Sequence, residues 1–521
     1  MRSRNCTGHM ENGVSLHKAT ISPATAEAPL VLALDVGSSS ARAAVFDRLG
    51  RQVEGFLARR SYRLTTAADG TAEADARALF DAVASCVDEV LARVRSAGQR
   101  IHAVGICTFV SNVLGVNSEG EPLTPVYTYA DTRPAAEVEV LRHHFDEREI
   151  HQRTGCRFHT SYLPARFLWL QRTQPHLLPR VARWISFGEF IEWRLFGDAA
   201  VSYSVASWTG LLDRHRLCWD EPLLAFLPIE PTHLSPLTDV SSPRRGLRSP
   251  YAERWPELKD VPWFPAVGDG AAANVGSGCV TPERVALTIG TTSALRVVVT
   301  GPLQMVPWGL WCYRVDGRRS LPGGALSEGG NVLTWMRRTL QLPELDELNR
   351  VLSSRSPDVH GITVLPFWAG ERSPGWHENA RAVLYGLTLG HTPVDLLQAG
   401  LEAVSYRLAA VFELLRPLLP SQVEIVAGGG ALHHIRVWPQ MLADVLGYPV
   451  VLSGVEEISA RGVALLVLEA LGVLNDVTEA PFFAGTVYVP DSQRHERYQE
   501  ARYRQERLYR LLAKHTGIGD F

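Results

Sequence analysis

Val31-Leu-Ala-Leu-Asp-Val-Gly-Ser-Ser-Ser-Ala-Arg-Ala-Ala-Val-Phe-Asp47 is the stretch from which the rest of the chain is read. An apolar run ends in Asp35, turns through Gly37, Ser38, Ser39 and Ser40, and resumes as Ala43 to Asp47, the pattern of two strands joined by a tight polar turn. Gly37 lets backbone come close to a ligand, the three serines offer hydroxyl and amide donors, and Arg42 adds a fixed cationic fork. That set suits a phosphate, with Asp35 beside it to hold Mg2+ through water. Taken alone, the same residues make an ordinary Gly-Ser hairpin equally well.

A second copy changes the reading. Val285-Ala-Leu-Thr-Ile-Gly-Thr-Thr-Ser-Ala-Leu-Arg-Val-Val-Val299 repeats the pattern, Gly290 answering to Gly37 and Thr291, Thr292 and Ser293 to the three serines. Two hairpins in two halves imply a duplicated domain with phosphate held between the copies. At this point the chain resembles the FGGY family of sugar kinases. The resemblance implies an α/β architecture of duplicated actin-like ATPase (ribonuclease H-like) domains with a cleft between them, working with ATP and Mg2+. It divides the chain into a sugar-binding domain over 30–280 that carries the catalytic base, an ATP-binding domain over 281–512, and a tail over 513–521.

The totals agree with two domains, since 521 residues exceed what one core usually supports. A net charge of −3 gives no case for nucleic acid or an anionic membrane surface, and the longest apolar runs, such as 463–468, are far too short to span a bilayer. Seven cysteines lie scattered without a Cys-x-x-Cys pair, which reads as reduced core thiols in a cytoplasmic protein. None of the three lysines, Lys18, Lys259 and Lys514, follows a glycine-rich loop, and this excludes a Walker P-loop. Residues 1–29 mix Ser, Thr, Pro, Gly and Asn without apolar periodicity and read as a disordered extension. No continuous apolar segment follows Arg2 and Arg4, so a secretory signal is not expected.

In chain order, Leu79, Val83, Val87, Val90, Leu91 and Val94 make one helical stripe over 76–94, and a buried strand follows over 101–107. The string Pro125-Val-Tyr-Thr-Tyr-Ala-Asp-Thr-Arg133 resembles the family's Trp-x-Asp-x-Arg segment, which implies that Asp131 and Arg133 face the sugar. Two departures stand beside it. Tyr129 replaces a common Trp, and Ser111, a candidate substrate contact, stands where xylulose and gluconate kinases commonly have His. Residues 151–220 look closest to the gluconate-kinase branch, and Trp169, Trp184, Trp193 and Trp208 within them read as core filling. Residues 229–258, rich in Pro, Ser and Arg, read as a surface loop.

Trp263 to Gly268 reads as a strand ending at Asp269-Gly270, where a helix of small residues begins. By chemistry alone Asp269 is either a helix N-cap or a rigidly held carboxylate; the resemblance makes it the catalytic base. The resemblance also brings Gly330 close to ATP and makes the Val423-Glu-Ile-Val-Ala-Gly-Gly-Gly-Ala431 segment, with Gly429 and Gly430, the adenine floor. Glu371 and Arg372 read as an internal ion pair. Thr392-Pro-Val-Asp395 is a capping box that opens a long helix. The implied reaction is phosphoryl transfer from ATP to a sugar acid, gluconate first. A ketose or polyol such as xylulose is the runner-up, and an actin-like ATPase or binding module without sugar chemistry is a rival from another class. Family members are often oligomers, but no feature of this chain decides its state.

Overall fold

The computed structural model describes residues 18–515, so residues 1–17 of the expected extension lie outside it. The remainder of that extension is not disordered. Thr20–Ile21 (β1) pairs in parallel with the edge strand Gln52–Ser61 (β4), through Thr20 opposite Gln52. Gln99 Nε2 donates to the Pro23 carbonyl at 2.9 Å and Arg51 pairs with Glu27 at 2.9 Å.

The first sheet adds Val31–Val36 (β2), Ser40–Phe46 (β3), Ala103–Thr108 (β5) and Val267–Gly268 (β6), in the order β1-β4-β3-β2-β5-β6. The second contains Arg284–Ile289 (β7), Ser293–Arg296 (β8), Val299–Thr300 (β9), Trp311–Arg314 (β10), Arg319–Leu326 (β11), Glu424–Gly428 (β12), Val450–Ser453 (β13) and Ala484–Tyr488 (β14). Its order is β9-β11-β8-β7-β12-β13-β14, with β10 paired to β11. Each sheet therefore has the same heart. Three antiparallel strands built on the hairpin (β2-β3-β4 and β7-β8-β11) are followed by two parallel neighbours (β5-β6 and β12-β13). The duplication read from two short motifs is a duplication of topology.

β2 is buried on both faces, which is why it reads as a continuous apolar run. Leu32, Leu34 and Val36 face Ala76–Ser96 (α1), whose stripe is the expected one and whose N-cap Asp75 accepts from the Ala78 amide. Val31 and Ala33 face the other way, against Ile458–Ala470 (α6), a helix from the far end of the sequence. Asp35 shares the parity of Val31 and Ala33, so alternation alone turns its side chain toward the second half of the molecule. The predicted capping box is present at Thr392 and opens Pro393–Leu415 (α4). Ser492–His515 (α7) packs against the second core through Tyr498 and Ala501. Residues 229–258 are more than surface loop, for they bury Tyr251, Trp255 and Leu258 in the first core. No helix among the described residues is long and apolar enough to cross a membrane.

Candidate active site

Three parallel strand ends place two carboxylates together. Asp35 on β2 lies level with Cys107 on β5, which lies level with Val267 on β6, and Asp269 follows two residues later. This is the carboxyl edge of a sheet, where α/β folds commonly bind ligands. Asp269 is the first residue of Asp269–Gly276 (α2). Gly268 is the N-cap and supplies no side chain, so the N-cap alternative for Asp269 falls away. Among the described residues, the Asp269 carboxylate accepts only the adjacent Gly270 amide, at 2.7 Å. Burial pushes its carboxyl up to about 6, the nearby Asp35 pushes the same way, and Arg296 from β8 pulls it back. Trp208 walls this position on one side. A Cβ on Gly268 would stand 2.8 Å from Trp208 Nε1, and one on Gly270 3.0 Å from its Cη2. Trp208 is buried, as expected, but at the seam between the halves, stacked on Tyr313 of β10 with ring centroids 3.6 Å apart.

Asp35 is 7% exposed, and burial raises its pKa while Arg42 lowers it. Its Oδ1 accepts from Cys107 Sγ at 3.4 Å. An inward, buried carboxylate of this kind suits a hydrated divalent cation, so Asp35 fits Mg2+. Arg42 was expected on phosphate and is otherwise engaged. Its Nη1 lies 3.5 Å from Asp35 Oδ2 and 3.0 Å from Glu457 Oε2, at the start of α6.

The two hairpin turns differ by one residue. Gly37 N donates to Ser40 O at 3.0 Å, whereas Gly290 N donates to Thr292 O at 2.9 Å. Ser293 therefore pairs directly with Ile289, whereas Val36 pairs with Ala41, one residue past the matching Ser40, and the Ser293 hydroxyl donates to the Glu328 carbonyl. Ser38, Ser39, Thr291 and Thr292 remain open at the tips while Ser40 is buried. Behind the second tip, Gly330 opens the helix Gly330–Thr339 (α3) with its amide on the Gly290 carbonyl at 2.8 Å. A Cβ there would sit 2.7 Å from the same oxygen, so glycine is what allows the approach.

Gly290, Thr291 and Gly330 line a cleft of about 540 Å³ together with Gly430 of the short helix Gly430–His434 (α5). Gly430 has open space where a Cβ would go. Gly429 does not line the cleft. It sits at φ +113° with its Cα against the end of β7, where a Cβ would meet Ile289 O at 2.3 Å. Asn331, Trp335, Arg338 and His434 also line it, and none was a site candidate in the sequence. Trp335 is the conspicuous one, a large apolar side chain left 36% exposed and one helical turn from Asn331. If adenine stacks on it, Trp335→Ala raises the KM for ATP about tenfold with kcat nearly unchanged, as loss of one base–aromatic stack implies. Steady-state kinetics with varied ATP checks this. A larger cleft of about 1100 Å³ lies elsewhere, lined by Arg142, Arg157, Glu378 and Arg407. Arg142 and Arg157 pair with Glu147, and Arg407 with Glu371.

Asp131 and Arg133 do not stand open to a sugar. Asp131 is 0% exposed. Arg133 Nε donates to its Oδ1 at 3.0 Å, buried Arg166 lies 3.6 Å from Oδ2, and Arg133 also pairs with Glu73 while lying over Trp169 at 4.5 Å. The carboxylate is consumed by two arginines, so its visible work is to brace the loop; only Arg133 keeps a partly open edge. Ser111 holds φ +52° and donates its hydroxyl to the Trp208 carbonyl at 2.7 Å, which supports the wall beside Asp269. The expected Glu371–Arg372 pair is not made. Glu371 bonds instead to Arg407 and, at 2.7 Å, to the Tyr509 hydroxyl.

Two hairpin-centred domains with a carboxylate between them and a glycine-floored cleft on one side define a duplicated actin-like ATPase fold. The chain belongs to the FGGY family of carbohydrate kinases, matching its N-terminal domain over residues 30–276 and its C-terminal domain over 285–471. It is 26% identical to a gluconokinase of Bacillus subtilis (strain 168), over 88% of this chain and 91% of that one. Crystal structures of a gluconate kinase and of a ligand-bound xylulose kinase, both from Lactobacillus acidophilus, are each 25% identical. Each superposes with a TM-score of 0.86, covering 93% of this chain and 98% of the other.

Proposed function

We propose that this kinase transfers the γ-phosphate of ATP to a hydroxyl of a sugar acid, gluconate being the first choice. The observation that carries the chemistry is Asp269, a carboxylate free of capping duty, held at a strand end with its pKa lifted to about 6. Such a group is ionised at neutral pH and basic enough to take the proton from an acceptor hydroxyl as that oxygen attacks in line. The open tips at Gly37 to Ser39 and Gly290 to Thr292 would cradle the transferring group with amide and hydroxyl donors. Asp35 would hold Mg2+ through water, and the ion would neutralise charge on the phosphate oxygens, which leaves Asp269 free to act as the base. Arg42 would keep Asp35 oriented, and Gly330 and Gly430 would floor the adenosine. Closure of the two domains over the sugar would exclude water and prevent idle ATP hydrolysis. Six described cysteines, all unpaired, fit a reducing cytoplasm.

Gluconate is favoured by full-length similarity to a gluconokinase; equal structural likeness to a xylulose kinase keeps a ketose as the second reading. ATP-to-ADP turnover with Mg2+ over a panel of sugar acids, ketoses and polyols, against a sugar-free blank, tests both. Stimulation by gluconate alone is the expected result. Stimulation only by a ketose would move the substrate and keep the mechanism, and sugar-independent turnover would defeat the kinase reading.

A further inference from the structure

Because Glu371 is taken by Arg407, Arg372 is left without its sequence neighbour, and Arg296 on β8 is in the same condition. Among the described residues neither guanidinium forms an ion pair, and the Nε of each is buried without a hydrogen-bond partner. Arg296 reaches only Thr288 Oγ1, at 3.3 Å through Nη1. Both cations belong to the seam between the domains. The Arg372 carbonyl accepts the Trp376 amide at 2.6 Å, and Trp376 packs edge-on against His159 of the first domain with ring centroids 5.5 Å apart; Arg372 also acts electrostatically on Arg296 and Tyr313. A third buried donor without a partner, Trp208 Nε1, faces the same space beside Gly268.

Asp269 is the one carboxylate that acts on Arg296, and two buried cations against one carboxylate leave a net positive charge that costs several kcal/mol unless a further anion joins them. The anion is not the one at the hairpin tip. Arg296 shares its face of β8 with Ala294, in the seam with the first domain, and lies four residues beyond Thr292, roughly 13 Å along the strand. Its Nε stands 3.3 Å from where a Cβ of Gly270 would be, next to the base. That is the acceptor's side of the cleft. Two forked donors on this seam match a carboxylate, which guanidinium binds through paired hydrogen bonds.

We propose that Arg296 and Arg372 read the carboxylate of the acceptor, so that this chain distinguishes a sugar acid from a neutral sugar or polyol. The inference rests on the kinase reading above and assigns its specificity to two residues of the second domain. The test compares gluconate with glucitol, the same carbon chain with a neutral CH2OH in place of the carboxylate, in the full-length enzyme at saturating ATP. Wild type is expected to prefer gluconate. Arg296→Gln and Arg372→Gln are each expected to lower kcat/KM for gluconate about 100-fold, mainly through KM, as loss of a buried charged hydrogen bond implies. Glucitol turnover by Arg372→Gln and the KM for ATP of both variants should stay within about threefold by the same reasoning; Arg296→Gln also removes the cation that lowers Asp269, so it is judged by its KM for gluconate. Arg372→Lys keeps the charge without the fork and is expected to fall between. Without ATP, gluconate should raise the Tm of wild type and not that of the Gln variants, a readout independent of chemistry. Equal loss with gluconate and glucitol in Arg372→Gln, or a lost affinity for ATP in either variant, would assign the arginines to the phosphoryl group and overturn the proposal while leaving the kinase intact. Failure of wild type to phosphorylate any sugar would defeat the underlying reading as well, and is distinguished by that wild-type control.

Discussion

Asp269→Asn is expected to lower kcat by about 10²- to 10⁴-fold, the usual contribution of a positioned general base, with the KM for ATP nearly unchanged. Asparagine keeps the shape and the contact with the Gly270 amide region but cannot accept a proton. The wild-type profile of kcat/KM against pH should carry an acid limb near 6, because Asp269 works only when ionised and burial and Asp35 have lifted its pKa to that value. Activity is therefore lost as pH falls through about 6, and the variant should lack that limb. The stability consequence has the opposite sense. A folded pKa raised above the unfolded value of 3.8 means that the fold disfavours the ionised form, so stability is lost as pH rises from there through about 6. Asp269→Asn removes this penalty and is expected to show a Tm at pH 7.5 at or above that of wild type, with the difference gone below about pH 4. An active variant would end the base assignment. A variant that is both inactive and strongly destabilised at neutral pH would show instead that Asp269 holds the fold.

What the sequence made legible was local. The hairpin around Gly37, its copy around Gly290, the stripe of α1 and the capping box at Thr392 are each set by contacts within a few residues, and each was found at its place. Asp269 was legible for the same reason, as a carboxylate between a strand and a small-residue helix. What was not legible was decided by distant partners. Arg42 is drawn to Glu457, 415 residues away in sequence. Arg372 loses its neighbour because Arg407 on α4 competes for Glu371, and Asp131 is enclosed because Arg166 approaches from another helix. The strand at Thr20–Ile21 exists only because the edge of β4 is there to receive it. The single-residue difference between the two turns is a matter of register, which the motif alignment of Ser293 with a turn serine could not show.

Gly462→Ala is expected to destabilise the protein by about 3 kcal/mol or more, the upper range for overpacking a close contact. At this place α6 crosses α2 with backbone against backbone. A Cβ on Gly462 would stand 1.8 Å from the Ala272 carbonyl oxygen, and one on Gly276 would stand 1.8 Å from the Ile458 carbonyl oxygen. Neither obstacle is a side chain that can turn aside, so the helices must separate. The adjacent Arg461 makes separation more costly, since its guanidinium, 1% exposed, donates to the carbonyls of Gly50, Gly276 and Pro481 at 2.9, 2.6 and 2.6 Å. The crossing also aligns the site. Asp269 begins α2, and Glu457 at the head of α6 holds Arg42 on Asp35, so both carboxylates are referred to this one contact. A shift of about 1 Å there is expected to cost kcat roughly 100-fold, even though Gly462 touches no part of the reaction centre. Gly390→Ala is the control: its backbone needs no positive φ and a Cβ would meet only Thr388 Oγ1, at 3.7 Å. That variant should keep Tm and kcat. If Gly462→Ala matched it in both, the two helices would not be locked at this crossing, and the alignment of Asp35 with Asp269 would have to come from the strand register alone.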